Sequence, residues 1–181
     1  MSDFKIVGTY RVRNEERFIE KSLKSIIDIC SEIVILDDNS TDKTIEICSS
    51  FDKVVDIQKQ SDLPLDEVRD RNLLLQMALK RKSDFILSID GDEIFASNSA
   101  DILFEELDIL YPKNNVFEFQ FLTLWDSPSQ IRFDGIFGNY WQKRLFRTKN
   151  QSSNLKFTNT DNPGNLHCGS IPKDVHGFKN P

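Results

Sequence analysis

Two aspartates separated by one glycine, Asp90-Gly91-Asp92, follow directly on a run of apolar residues. In extended backbone, residues two apart point the same way, so both carboxylates can converge on one cation. Gly91 permits a tight bend and the close approach of a ligand. Two carboxylates and a phosphate group commonly hold Mg²⁺ or Mn²⁺. The same residues are also typical of a solvated turn after a strand, and the pattern alone leaves both interpretations open.

A second acidic group, Asp37-Asp38-Asn39-Ser40-Thr41-Asp42, also follows an apolar run. A calcium-binding loop would need glycine at its sixth position and glutamate at its twelfth, and the sequence supplies neither. Ser40 and Thr41 can cap a following helix. Capping does not account for two carboxylates at the end of a strand, whereas a contact to a nucleobase or ribose would.

These acids must be positioned by the elements that precede them. Short apolar runs at 5–10, 33–36, 53–57 and 85–89 alternate with stretches whose apolar residues recur with the helical period. This alternation predicts an α/β fold with a parallel sheet covered on both faces. In such sheets, ligands bind at the carboxyl ends of the strands. Here those ends would carry residues 9–14, 37–40 and 90–93.

The pattern changes after Glu93. Residues 100–110 predict a short helix, and residues 116–122 alternate between apolar and polar side chains. Such alternation indicates a strand covered on one face, which is typical of antiparallel pairing. We predict one domain over 1–181.

Composition excludes several classes of protein. The chain has 181 residues and a net charge of −6, so it lacks the basic excess expected of a nucleic-acid binder. Its 3 cysteines form no CxxC motif, which favours a reducing compartment. No run approaches the ~20 apolar residues of a membrane span. We therefore expect a cytoplasmic protein without a transmembrane segment, which could still lie peripherally at the inner membrane face.

Four segments together resemble family 2 glycosyltransferases of the GT-A fold, in sequence, order and spacing. They are 10–16 (YRVRNEE), 35–44 (ILDDNSTDKT), 69–72 (RDRN) and 87–93 (LSIDGDE). The resemblance implies a GT-A (Rossmann-like), mostly parallel central sheet flanked by helices, with a smaller antiparallel acceptor-side portion. Residues 1–95 would form the nucleotide-binding half. Residues 96–181 would form an acceptor-side half that is either minimal or truncated at its C-terminus.

The resemblance also implies the ligands and their residues. The ligands are a nucleotide-diphosphate sugar donor, a divalent metal (Mn²⁺ or Mg²⁺) and a carbohydrate or lipid-linked acceptor. The metal would be held by Asp90 and Asp92, with His167 as a further ligand and His176 as its rival. Glu93 would lie behind the metal ligands or cap the next turn. The nucleotide-sugar pocket would be lined by Thr9, Arg11, Arg13, Asn14, Glu15, by Asp37 or Asp38 at the base or ribose, by Arg69 or Arg71 at the diphosphate, and by Asp90 and Gly91.

Family 2 enzymes are similar in inverting the sugar carbon and in using a carboxylate base for the acceptor hydroxyl. Asp134, in an aromatic and glycine-containing segment, is the candidate base, and Asp126 beside Trp125 is the alternative. The usual acidic motif of the acceptor side is not recognisable, so both assignments compete with ordinary turns.

Other functions fit parts of the sequence. One is a nucleotide-sugar-binding module, or an incomplete domain, without turnover. Another is a phosphatase with Asp90 as nucleophile and Asp92 as acid, which is disfavoured because that chemistry usually places its acids after the first strand. A dinucleotide-dependent oxidoreductase is disfavoured because no G-x-G-x-x-G motif follows the first strand.

Overall fold

The computed structural model describes residues 4–60, 64–111, 113–151, 154–158 and 169–175. Helices and strands alternate through the first part of the chain, and strands dominate the second. The strands are β1 (Ile6–Val12), β2 (Glu32–Asp37), β3 (Val54–Lys59), β4 (Phe85–Asp90), β5 (Val116–Phe121), β6 (Leu124–Trp125), β7 (Ser127–Ile131) and β8 (Tyr140–Arg147). The helices are α1 (Ile19–Ile26), α2 (Thr44–Ser49), α3 (Glu67–Lys80) and α4 (Ser99–Leu110), with a 3-10 turn at Gly135–Asn139.

A six-stranded sheet in the order β3-β2-β1-β4-β8-β5 forms the centre of the fold. The strands β1 to β4 are mutually parallel, whereas β8 pairs antiparallel with both β4 and β5. The predicted α/β fold, with a mostly parallel sheet and a smaller antiparallel portion, is therefore confirmed. Because β2 and β4 lie on opposite sides of β1, the strand order reverses at β1. Such a reversal is where open α/β sheets bind ligands.

Each face of the sheet packs on its own apolar core, because successive strand side chains alternate between the faces. On one face, Ile6 and Tyr10 of β1 pack with α1, α2 and α4. On the other, Val7 packs with α3 and with Leu155, Phe157 and Val175 from the last described segments. The alternation continues to the strand ends, so it also decides which polar side chains share a face.

Two helices begin beside an aspartate. The helix α3 begins at Glu67, where the Asp66 carboxylate accepts a hydrogen bond from the Arg69 amide at 2.9 Å. The helix expected after Ser40 begins at Thr44, and the Asp42 carboxylate accepts a hydrogen bond from the Thr44 amide at 2.9 Å. In both cases an aspartate accepts a hydrogen bond from a free amide of the first turn, and Asp66 does so as the N-cap residue of α3.

The strand β8 has no counterpart in the sequence prediction. Its residues YWQKRLFR mix charged and apolar side chains, so no clear period marks a strand. The strand forms because Leu145 and Phe146 are buried against the two cores, while its polar side chains find partners across the sheet.

Candidate functional site

The predicted site residues come together at the carboxyl ends of β1, β2 and β4. Arg11 of β1 is the register partner of Asp90 of β4, and Val12 is the register partner of Asp37 of β2. Parallel pairing therefore places the acidic ends of β2 and β4 on either side of β1, at the reversal of strand order.

A cluster of ionic hydrogen bonds lies on the α3 face of this edge. Arg11 donates from Nε to Asp70 Oδ2 at 2.8 Å and from Nη2 to Asp38 Oδ2 at 2.6 Å. Arg69 Nε and Gln60 Nε2 donate to Asp70 Oδ1 at 2.9 and 2.7 Å. These residues, Arg11, Asp38, Gln60, Arg69 and Asp70, are called the Arg11 cluster below.

Asp70 anchors the Arg11 cluster. Its side chain is fully buried, which by itself would favour the neutral acid. Hydrogen bonds from Gln60, Arg11 and Arg69 outweigh burial and hold the pKa of Asp70 below its usual value. Asp70 is therefore a buried carboxylate, and it fixes two arginines at the edge of the sheet.

Strand alternation separates the two candidates at the end of β2. Asp37 follows Ile33 and Ile35 onto the face of α1 and α2, where its Oδ1 accepts a hydrogen bond from the Ser40 amide at 3.0 Å. Asp38 turns to the opposite face and joins the Arg11 cluster. Arg13 also approaches this carboxylate, with its Nη1 3.5 Å from Oδ2. Both arginines approach Oδ2, so Oδ1 of Asp38 can accept another donor.

The loop after β1 is held to the loop after β2. Asn14 has a positive φ of 55°, and its amide donates to Ser40 Oγ at 3.0 Å. Its side-chain oxygen accepts from the Thr41 amide at 2.8 Å. Asn14 thus joins two loops of the site. Thr9 is buried in β1, with its hydroxyl 3.4 Å from the carbonyl of Leu87.

The end of β4 forms a second cluster. Arg144 of β8 donates from Nη2 to Asp90 Oδ2 at 2.9 Å and also contacts Glu93 Oε1. Arg71 of α3 donates to Ser88 Oγ at 2.5 Å and lies 3.6 Å from Asp90 Oδ1. Burial would raise the pKa of Asp90, but Arg144 and Arg71 lower it. The residues Arg71, Asp90, Glu93 and Arg144 are called the Asp90 cluster below.

Glu93 supports the turn that follows β4. Its Oε2 accepts a hydrogen bond from the Asp90 amide at 3.1 Å. Burial raises the pKa of Glu93 to about 7, against the lowering effect of Arg144 and with further increases from Asp90 and Asp92.

Glu15 faces the Asp90–Asp92 turn across Gly91. A Cβ atom at position 91 would lie 2.8 Å from Glu15 Cγ, so only glycine allows this approach. Burial raises the pKa of Glu15, and the charges of Asp92, Asp42 and Asp90 raise it further. Several carboxylates therefore crowd one another at this edge.

A divalent metal would meet two carboxylates at this edge. Asp90 is 45% exposed at its side chain, and Asp92 is exposed. Within the described ranges, no group of three or more His, Cys, Asp or Glu side chains is arranged to hold a metal ion. The predicted further ligand His167 and its rival His176 lie outside those ranges. The crowding of Glu15, Asp90 and Asp92 fits a hard cation completed by ligand oxygens.

The two candidate bases lie away from both clusters, in the segment between β5 and β8. Asp134 is exposed and pairs with Arg132 at 2.5 Å (Oδ1 to Nε) and 2.8 Å (Oδ2 to Nη2). The hydrogen bond from Arg132 lowers the pKa of Asp134, which makes it a weaker base. Asp126 is exposed between β6 and β7, with a φ of 63°.

An aromatic groove adjoins Asp134. It has a volume of about 560 Å³ and is lined by Trp125, Gln130, Ile131, Arg132, Phe133 and Asp134. Its segment leaves the sheet after Phe121 and returns at Tyr140, which are register partners. Because β5 runs parallel to β4, the segment emerges at the edge that carries Asp90.

Sequence reasoning missed Arg144, Gln60 and the anchoring role of Asp70. Asp70 belongs to the recognised 69–72 segment, but its partners come from β1 and the end of β3. Arg144 offered one signal, a charge beside the apolar pair Leu145-Phe146, because a charged residue in a buried strand needs a partner. The identity of that partner, more than 50 residues away, depends on the fold.

Within the described part of the chain, no helix is long and apolar enough to cross a membrane.

Fold and site together define an α/β protein with a cluster of charged side chains at the reversal of its strand order. The family model for glycosyl transferase family 2 matches residues 11–165, and the chain belongs to this family. It is 26% identical over 177 residues to an uncharacterized glycosyltransferase of Rickettsia bellii (strain RML369-C), covering 94% of this chain and 54% of the relative. The chain thus spans about half the length of that curated relative.

Solved structures of Staphylococcus aureus TarS share the fold. TarS 1–349 superposes with a TM-score of 0.55 at 16% identity, covering 79% of this chain and 47% of that one. The complex of TarS 1–349 with UDP gives a TM-score of 0.51 at 22% identity, covering 59% and 33%. The predicted GT-A fold is confirmed by this likeness.

Proposed function

We propose that this chain transfers a sugar from a nucleotide-diphosphate donor to an acceptor hydroxyl, with a divalent metal and inversion at the sugar carbon. The observation that carries the proposal is the meeting of the Arg11 and Asp90 clusters at one sheet edge, where Arg11 and Asp90 are register partners. Membership of glycosyl transferase family 2 and the UDP bound to structurally similar TarS support the same donor class.

The Arg11 cluster is the proposed nucleoside end of the donor site. Asp38 has Oδ1 available for a base or ribose donor, and Arg11 and Arg13 hold its other oxygen. We favour Asp38 over Asp37 because Asp37 faces the opposite core and bonds the Ser40 amide. The buried Asp70 positions Arg11 and Arg69 without meeting solvent.

The Asp90 cluster is the proposed diphosphate end. Asp90 and Asp92 would hold Mn²⁺ or Mg²⁺, which when bound neutralises charge that develops on the departing diphosphate. Arg71 adds a positive charge 3.6 Å from Asp90 Oδ1, where it can approach the same diphosphate. Gly91 allows Glu15 to lie close against the turn.

The acceptor is proposed to be a carbohydrate or a lipid-linked sugar, bound near the segment between β5 and β8. Inversion needs a base within hydrogen-bond reach of the acceptor hydroxyl. Asp134 stays the candidate, although its pair with Arg132 must open before it can accept a proton. Asp126, for which the structure gives no such pair, is the alternative. A donor-binding module without turnover is the second candidate function, favoured by this paired state of Asp134.

Thermal unfolding with UDP-, GDP-, dTDP- and CMP-sugars, with and without Mn²⁺, tests donor binding. One nucleotide class should raise the melting temperature only with Mn²⁺, by about 2–4 °C for each kcal/mol of binding free energy. Asp92→Asn should abolish the Mn²⁺-dependent part, whereas Asp28→Asn, at an exposed position after α1, should retain it.

The absence of stabilisation by every sugar nucleotide would contradict both donor transfer and donor binding. If stabilisation is seen, donor hydrolysis and transfer to sugar acceptors separate an enzyme from a binding module.

A further inference from the structure

Arg144 links three parts of the molecule at the end of β4. Its side chain is 3% exposed. It donates to Asp90 Oδ2 at 2.9 Å and to Ser170 Oγ at 2.8 Å, and it contacts Glu93. Its guanidinium carbon lies 5.2 Å from the centre of the Phe121 ring. One side chain thus joins β8, the β4 turn and the 169–175 segment.

Stability alone is a poor explanation for this arrangement. Burying an arginine with a carboxylate removes their hydration, and an apolar pair often packs as well or better. The Nε atom of Arg144 is also buried without a hydrogen-bond partner among the described residues, so the side chain is not ideally satisfied. A fixed guanidinium nevertheless orients a carboxylate, because its planar donors allow few geometries.

Arg144 contacts neither Oδ1 of Asp90 nor the carboxylate of Asp92. It binds Oδ2 of Asp90, while Oδ1 lies on the side of Arg71 and Asp92 is exposed. Arg144 also offsets the charge of Glu93, which otherwise adds to the repulsion at this turn. Asp90 is therefore held in one orientation between two arginines, with Oδ2 bonded to Arg144 and Oδ1 3.6 Å from Arg71 Nη2.

We infer that Arg144 is a positioning residue for the donor site, which holds Asp90 in the orientation that receives the metal and diphosphate. This inference rests on the proposed function, because it requires Asp90 to bind the metal. Arg144 does not touch the donor, since it is buried behind the carboxylates. Partners that orient metal ligands typically change metal affinity about 10–100-fold when they are replaced.

The test measures UDP binding by titration calorimetry as a function of Mn²⁺ concentration. In Arg144→Lys and Arg144→Gln, the Mn²⁺ concentration for half-maximal UDP binding should rise about 10–100-fold. Lysine keeps the charge but lacks the two separate Nη groups with which Arg144 contacts Ser170 on one side and Asp90 and Glu93 on the other. If Arg144 supplied only charge, Arg144→Gln would bind Mn²⁺ as well as or better than the wild type. That result, or an unchanged value in both variants, would overturn the inference.

Arg147 provides a matched control on the same strand. Like Arg144, it packs on an aromatic ring, with its guanidinium carbon 4.4 Å from the centre of the Tyr111 ring. Its Nε is likewise buried without a hydrogen-bond partner among the described residues. Its described contacts lie outside the Asp90 cluster. Arg147→Lys should therefore change the Mn²⁺ dependence of UDP binding far less than the roughly 10–100-fold expected when a ligand-orienting partner is lost.

A milder variant covers the case in which the Arg144 variants fail to fold. Ser170→Ala removes only the hydrogen bond to Arg144 Nη1 and should still weaken Mn²⁺-dependent UDP binding several-fold. An unchanged Ser170→Ala, together with misfolded Arg144 variants, would count against the inference. If the wild type shows no Mn²⁺-dependent binding of UDP or of any other nucleotide in the thermal-unfolding panel, or if Asp92→Asn does not alter that binding, the proposed function fails instead.

Discussion

At the scale of single residues, the site is built on buried charge. Asp70 is fully buried and accepts hydrogen bonds from Arg11, Arg69 and Gln60. Asp134 and Arg132 form an aspartate–arginine pair with similar distances, but that aspartate is exposed. Both are aspartate–arginine pairs, but Asp70 is buried and Asp134 is exposed to solvent. Comparing them therefore tests the effect of burial.

Replacing Asp70 with asparagine should destabilise the protein strongly. Breaking a buried ion pair costs about 3–5 kcal/mol, because the remaining charges stay desolvated. Urea unfolding at neutral pH measures the loss. Asp134→Asn should unfold like the wild type, since exposed pairs contribute little.

The loss caused by Asp70→Asn should depend on pH. The folded state lowers the pKa of Asp70 below its ordinary value of 3.8, so the carboxylate stabilises the fold above that value. This contribution is lost as the pH falls through the lowered pKa. The difference in the free energy of unfolding between wild type and Asp70→Asn should therefore decrease only in strongly acidic solution. A constant difference from neutral to acidic pH would show that the charge of Asp70 is not what stabilises the fold.

At the scale of elements, α3 supplies one side of both clusters. It carries Arg69, Asp70 and Arg71, and its buried residues pack in the core on one face of the sheet. In its first turn, the backbone amide of Arg69 donates a hydrogen bond to the Asp66 carboxylate. The start of this helix therefore controls where three site residues lie.

Asp66→Ala should lower the free energy of unfolding by about 1 kcal/mol, because the Arg69 amide loses its acceptor. Asp66→Asn should retain most of that stability, since asparagine caps helices about as well as aspartate. Chemical denaturation of the three proteins provides the measurement. Equal losses in both variants would indicate a charge effect at the helix terminus in place of capping.

At the scale of the whole molecule, the sheet holds two thiols inside one core. Cys30 and Cys48 are buried on the α1 and α2 face. Burial raises the pKa of each thiol to about 12. The thiolate is the reactive form of cysteine. Both side chains are therefore protected from thiol reagents, because they are buried and because they stay protonated at neutral pH.

Cys30 and Cys48 should therefore resist thiol reagents in the native protein at neutral pH. In a Cys168→Ser variant, which leaves only Cys30 and Cys48, labelling should follow global unfolding in a denaturant series. Labelling read by mass spectrometry and unfolding read by circular dichroism should share one midpoint. Fast labelling in native buffer would show that the α1–α2 layer opens independently.

How much of the molecule could be predicted depended on whether the determining contacts were local. The apolar runs and helical stripes were sufficient for the four parallel strands, because each period is a property of neighbouring residues. Parallel crossovers bring all carboxyl ends to one edge, so the convergence of Asp38, Arg11 and Asp90 also followed from the pattern. The family resemblance rested on these same short segments.

The tertiary structure decided the rest, because its causes lie far apart in the chain. The packing of the strand faces separated Asp37 from Asp38. The insertion of β8 beside β4 brought Arg144 to Asp90, across 54 positions of sequence. Burial of Asp70 against β1 and the end of β3, where Arg11 and Gln60 donate to it, made this residue of α3 an anchor, which no spacing of charges could reveal. The sequence by itself determined which chemical groups gather at the edge of the sheet. Only the tertiary structure decided which atoms of those groups remain free for a ligand, because desolvation and pairing depend on non-local packing.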